Sequence, residues 1–164
     1  MKCLIVSDSH GRSTYLNSVL EKEAPLDMVL HLGDIEGDED WLTAVCSCPV
    51  EIISGNNDYF SYLPKERLLK LHGLNIWMTH GHRYRVHTGT EFLRMCAMEK
   101  HADIVLFGHT HRPHVEMAGG VTIVNPGSIS QPRQANHQPS YIIMQIGKEG
   151  RAEFDVRYVE KNNG

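Results

Sequence analysis

Six short apolar runs in this chain stop on the same kinds of residue. Residues 2–6 run into Ser7-Asp8-Ser9-His10-Gly11, and residues 28–32 into Gly33-Asp34. Residues 50–53 run into Ser54-Gly55-Asn56-Asn57-Asp58, and residues 74–78 into Thr79-His80-Gly81-His82. Residues 102–107 stop at Gly108-His109-Thr110-His111, and residues 121–124 at Asn125-Pro126-Gly127-Ser128. Apolar runs of this length, bounded by turn residues, read as buried strands. In open α/β sheets, ligands bind outside the carboxyl ends of the strands. Core packing alone gives no reason for six strand ends to deliver Asp, His, Asn or Ser. The chain must fold so that those ends gather on one rim.

The intervening segments agree with such a fold. Leu16, Val19 and Leu20 sit at helical spacing in residues 14–23, with Ser13 or Thr14 as a cap and Pro25 as a stop. A short helix fits residues 39–46, with Trp41, Leu42 and Val45 on one face. The first half thus reads strand-helix-strand-helix-strand. The second half is richer in hairpins: residues 67–71 with 74–78 around His72-Gly73, 115–117 with 121–124 around Gly119-Gly120, and 141–146 with 152–158. A helix over residues 90–100 interrupts them, with Phe92, Met95 and Cys96 read as packing residues, as are Trp41 and Trp77. The tail from Lys161 is polar and is expected to fray. The expected fold class is α/β, a layered sandwich of two mixed β-sheets flanked by α-helices. The 164 residues fit a single domain spanning 1–164.

Composition narrows the function classes. The net charge of −4, without a Lys/Arg stripe, gives no basis for binding duplex nucleic acid or a membrane surface. No apolar run approaches the roughly 18 residues of a membrane span. The N-terminal run is too short for a signal peptide, so a cytoplasmic location is expected. The four cysteines match no zinc-finger or thioredoxin spacing and read as unpaired thiols in a reducing compartment. The eleven histidines are the unusual count, because His10, His80, His82, His109 and His111 all follow apolar runs. His72, His87, His101, His114 and His137 read as surface or hairpin residues.

Mixed carboxylate, imidazole and amide donors suit Mn, Fe, Zn, Ni or Co better than calcium, which takes oxygen alone. Thiolates are absent from these loops, which argues against structural zinc or an iron–sulfur cluster. Each residue alone has a plain alternative: a packed histidine, or a turn residue such as Asp34 or Asn56. Together, Asp8, His10, Asp34, Asn56, His80, His109 and His111 are too many donors for one ion. Two ions sharing a carboxylate, about 3.5–4 Å apart, would use them all.

In order, Asp8-x-His10, Gly33-Asp34, Gly55-Asn56-x-Asp58, His80 and Gly108-His109-x-His111 match the five blocks of the calcineurin-like metallophosphoesterases. Asn125-Pro126-Gly127-Ser128 and the short length resemble the small YfcE-type phosphodiesterase branch. The resemblance implies a double β-sandwich flanked by helices. It implies that Asp8, His10, Asp34 and His111 hold one divalent metal and that Asp34, Asn56, His80 and His109 hold the other, with Asp34 bridging. Mn²⁺ is a common activator in that family, with Ni, Co, Fe, Zn or Mg as alternatives.

The implied activity is hydrolysis of a small phosphodiester. Two cations neutralise the phosphoryl oxygens and lower the pKa of a bridging water from 15.7 toward about 7, giving a metal-bridging hydroxide. Asp58 stands where the family pattern places an acid that orients the residue used in proton transfer. One position departs from the pattern. The family's usual histidine after Gly-Asn is Asn57 here, and an amide cannot protonate a leaving group. Losing a general acid typically costs about 10²–10⁴-fold. His82 or a metal-bound water is the expected substitute, or else the enzyme favours good leaving groups. Arg12, Ser128 and Arg133 are the candidate substrate contacts. Competing readings are a phosphomonoesterase or nucleotide pyrophosphatase on the same frame, or a non-catalytic protein-binding module. The hairpin edges leave a homo-oligomer open.

Overall fold

Strand β1 (Lys2–Val6) is covered on both faces, which explains why it is apolar throughout rather than at every second residue. Cys3 and Ile5 pack with Leu30, Met78, Leu106 and Ile142 between the sheets. Leu4 and Val6 pack on the opposite face with Leu16, Val19 and Leu42, from helices α1 (Thr14–Glu23) and α2 (Glu39–Val45). The computed structural model describes residues 1–160, so the expected frayed tail from Lys161 lies outside the described residues.

The remaining elements, in chain order, are β2 (Met28–His31), β3 (Val50–Ile52), β4 (Glu66–Leu71), β5 (Leu74–Thr79), α3 (Glu91–Glu99), β6 (Ile104–Leu106), β7 (Pro113–Ala118), β8 (Val121–Pro126), β9 (Ser140–Ile146) and β10 (Ala152–Tyr158). A short 3₁₀ turn, His82–Tyr84, follows β5. The strands form two five-stranded sheets, ordered β10-β9-β1-β2-β3 and β4-β5-β6-β8-β7. Each has three adjacent parallel strands: β1-β2-β3 run to the edge of the first sheet beside antiparallel β9 and β10, and β5-β6-β8 lie at the centre of the second between antiparallel β4 and β7. The expected class, two mixed sheets flanked by helices, is what forms.

The layers follow from burial. The two sheets face each other across the first core, and α3 covers the second sheet through Leu93 and Ala97 packed with Trp77, Val105 and Ile123. All six parallel strands end toward the polar loops named above. The expected helix cap is a correction: Ser13 stands at the N-cap of α1 but makes no side-chain capping bond. Among the described residues, no helix is long and apolar enough to cross a membrane.

Candidate metal centre

Polar residues at the strand ends turn inward because the backbone bends there. Asp8, His10, Asp34, His109 and His111 all have φ between 49° and 69°. L-residues avoid this left-handed region, and holding one there costs of order 1–3 kcal/mol. Five such residues in one place mark a site whose geometry the fold enforces. The bends also allow His109 and His111, one residue apart, to join different groups of side chains.

Asp8, His10 and His111 bring ligand atoms within 4.8 Å of one another, as do Asp8, Asp34 and His80. His111 Nε2 lies 3.1 Å from Asp8 Oδ1 and 3.2 Å from His10 Nε2. His80 Nε2 lies 3.8 Å from Asp8 Oδ1 and 3.5 Å from Asp34 Oδ2. Asp34 Oδ2 is also 3.8 Å from His10 Nε2. Both carboxylates therefore lie between the two imidazole groups. Asp8 is common to both sets, and Asp34 Oδ2, the expected bridge, reaches His10 of one set and His80 of the other.

Three imidazoles are fixed from behind. His80 Nδ1 donates to the Leu32 carbonyl at 2.7 Å, and His111 Nδ1 to the Gln131 carbonyl at 2.7 Å. His10 Nδ1 faces Glu36 Oε1 at 2.5 Å. A proton on each Nδ1 leaves each Nε2 lone pair directed inward. Asp8 Oδ2 is occupied by Ser7 Oγ and the His109 N–H. Among the described residues, buried Asp8 Oδ1 and His80 Nε2 find no hydrogen-bond partner. Orphaned buried polar atoms are costly, and a cation between them would satisfy both.

The electrostatics point the same way. Burial pushes the Asp8 carboxyl upward, but His111, His80 and Ser7 outweigh it and hold the pKa below the usual range. At Asp34, burial is likewise outweighed, by His80 and by two hydrogen bonds from Asn57. Burial alone would lower the His80 pKa, yet the contacts with Asp34, Asp8 and the Leu32 carbonyl raise it. At His109 the pull of Asp8 is outweighed. Burial and the neighbouring His80 and His87 depress it to about 4, so it is a neutral donor.

Several expected residues take other places. Asn56, an expected ligand, is exposed and donates to neither carboxylate. Its neighbour Asn57 holds Asp34, through its backbone N–H to Oδ1 at 2.8 Å and its amide to Oδ2 at 2.7 Å. The reason is Asp58, which accepts the backbone N–H groups of Asp34, Glu36 and Gly55 and so fixes this turn. Asp58 thus orients backbone, rather than a proton-transfer side chain as the resemblance implied. Gly55 is required here, since a Cβ would lie 2.1 Å from Asp34 Oδ1.

Ser128, an expected substrate contact, is fully buried. Its hydroxyl donates to the Asp8 carbonyl and accepts from the Ser130 and Gln131 N–H groups, so it is not offered to a substrate. His82 stands beside the cluster, its ring 5.5 Å from His80 and 6.0 Å from His109, and burial lowers its pKa. Arg12 and Arg133 are exposed.

Three residues had no role expected at the site. His87, read as a surface residue, lies 4.5 Å ring to ring from His109. Glu36 supports His10. His31, fully buried below the cluster, meets Ser9 Oγ through Nε2 and accepts the Gly33 N–H at Nδ1. A histidine inside the run that ends in Gly33-Asp34 was the available signal for His31. Glu36 and His87 carry none in local sequence.

Known proteins resemble this chain in sequence and fold. Probable metallophosphoesterase YsnB of Bacillus subtilis is 33% identical over 147 residues, 89% of this chain and 85% of that protein. Phosphodiesterase YfcE of Escherichia coli is 38% identical over 61 residues, 37% of this chain and 29% of its own. Vacuolar protein sorting-associated protein 29 of Schizosaccharomyces pombe is 26% identical over 160 residues, covering 89% of this chain and 85% of that protein. Among solved structures, a conserved Streptococcus pneumoniae protein described as a predicted phosphoesterase superposes with a TM-score of 0.78 at 28% identity, covering 95% of this chain and 97% of its own. A family model, the calcineurin-like phosphoesterase superfamily domain, matches residues 1–149. By its fold, its strand-end residues and this match, the chain belongs to the calcineurin-like phosphoesterase superfamily.

Proposed function

We propose that this protein is a phosphodiesterase that works with two divalent cations, Mn²⁺ foremost. The observation that carries the reading is the pair of orphaned buried atoms, Asp8 Oδ1 and His80 Nε2, facing each other between imidazoles held in one tautomer. Mixed carboxylate and imidazole donors suit such ions. Asp8, His10 and His111 would hold one ion; Asp34, His80 and His109 the other. Asp34 Oδ2, within 3.8 Å of His10 and 3.5 Å of His80, is the proposed bridge. When bound, the ions supply charge to the phosphoryl oxygens and a nucleophile at neutral pH.

The chain's own residues do the rest. Glu36, Leu32 and Gln131 keep the three Nε2 lone pairs aimed inward, at no reorganisation cost when substrate arrives. Asn57 and Asp58 hold Asp34 and its loop in place. Asn57 cannot deliver a proton, so His82, beside His80 and His109, is the proposed leaving-group contact. The related protein-sorting factor makes a non-catalytic role the competing reading. The two are separated by turnover of bis(4-nitrophenyl) phosphate after metal stripping and Mn²⁺ return. Metal-dependent turnover abolished by Asp34→Asn supports catalysis; none in the wild-type protein with any divalent ion contradicts it.

A further inference from the structure

Beside the histidine cluster lies a cleft of about 650 Å³. This is within the roughly 300–1,000 Å³ range of small-ligand pockets. It shares a wall with the metal centre. Thr110, between His109 and His111, lines it, and so does His87, whose ring rests on His109. Val86 and Phe107 give it an apolar floor.

Its charge is unlike the rest of the chain. Among the described residues, Arg112 and Arg133 line the cleft and no carboxylate does, in a protein of net charge −4. Among the described residues, the ion-paired arginines are Arg67, Arg94 and Arg157, elsewhere in the chain. Glu116 stands next to the lining residue His114, but its Oε2 already meets His114 Nε2 at 3.0 Å and Thr90 Oγ1 at 2.9 Å. Arg133 is anchored at the centre itself, because its backbone N–H donates to the His111 carbonyl at 3.0 Å. Arg112 directly follows His111.

A single scissile phosphodiester finds its countercharge in the metal cluster. Two further guanidinium groups without carboxylate partners, on one cleft, match a second phosphate, whose oxygens accept bidentate N–H pairs. Building on the phosphodiesterase reading, we infer that the substrate is a phosphodiester carrying a second phosphate group, held in this cleft by Arg112 and Arg133.

The test compares the 4-nitrophenyl ester of thymidine 5′-phosphate with and without a 3′-phosphate. Both release the same leaving group, so the ratio of kcat/KM isolates the second phosphate. The wild-type ratio should favour the bisphosphorylated ester by roughly tenfold or more, the scale of one to two charge-assisted hydrogen bonds. In the double variant Arg112→Gln/Arg133→Gln the ratio should fall to about one, in line with loss of those bonds. A second readout is inhibition of bis(4-nitrophenyl) phosphate turnover by thymidine 3′,5′-bisphosphate against thymidine 5′-phosphate, where the same preference should appear and vanish. A wild-type ratio near one, or a preference that survives in the double variant, overturns the inference. If bis(4-nitrophenyl) phosphate is turned over without any such preference, only this inference fails. If no diester is turned over with any divalent ion, the phosphodiesterase reading fails and this inference with it.

Discussion

The backbone N–H of His109 donates to Asp8 Oδ2 at 3.0 Å, joining residues 101 apart in sequence. Asp8 follows β1 in one sheet and His109 follows β6 in the other. One hydrogen bond thus ties the closure of the sandwich to the aim of a carboxylate. With Oδ2 held by this bond and by Ser7, Oδ1 alone is left for a ligand.

Gly108 makes that approach possible. A Cβ there would stand 2.0 Å from Ser7 Oγ and 2.8 Å from Asp8 Oδ2. Gly108→Ala should therefore force the two sheets' loops apart. The expected cost is about 1–3 kcal/mol of stability, typical of overpacking. Activity should fall further, by roughly a hundredfold, as small displacements of catalytic groups do. Thermal melts beside kcat/KM check this; unchanged activity would show that the contact is dispensable.

Among the described residues, the Glu36 side chain touches the centre only through His10. Replacing such supporting carboxylates typically weakens metal binding by about 10–100-fold. Glu36→Ala should lower Mn²⁺ affinity on that scale while leaving the melting curve of the metal-free protein in place, since the side chain is partly exposed. Calorimetric titration of Mn²⁺ into both proteins is the measurement, and equal affinities would rule out the support.

His31 gives the metal-free protein a defined pH dependence. Burial depresses its pKa to about 4, against 6.5 for the free residue. The unfolded chain therefore takes up the proton first as pH falls. The stability His31 contributes is full above pH 6.5 and is lost as pH falls toward 4. By linkage the loss is of order 3 kcal/mol. His31→Gln does not titrate, so its urea-denaturation stability in chelator should fall less over this window than wild type's. Parallel curves would mean that His31 is not held neutral.

Much of this was legible in the chain. The strands showed as apolar runs because both faces of β1, β2, β5, β6 and β8 are covered. Their polar ends showed because parallel strands deliver their loops to one side. What the sequence concealed depends on contacts between distant segments. The support of His10 by Glu36 spans 26 residues, and His87 reaches His109 only through the turn after β5. Asn56 and Asn57 are alike in chemistry, and only the backbone bonds to Asp58 decide which faces Asp34. Ser128 shows the reverse: a turn hydroxyl that reads as a contact but is consumed by the Asp8 loop.

His109 and His111 should act on different ions. The His111 ring stands with Asp8 and His10, the His109 ring with His80. Elemental analysis after equilibration with Mn²⁺ and desalting should find each single alanine variant short of about one ion per chain. The residual ion should sit at the Asp8–His10 side in His109→Ala and the His80 side in His111→Ala. Equal loss of both ions in each variant contradicts that division.

The most direct measurement is a Mn²⁺ titration of chelator-stripped protein, following bis(4-nitrophenyl) phosphate turnover against bound metal. Two-cation catalysis predicts no turnover in the stripped protein, little at one bound ion, and full rate as about two ions per chain are bound. Turnover without metal, or a full rate reached with a single bound ion, would contradict it.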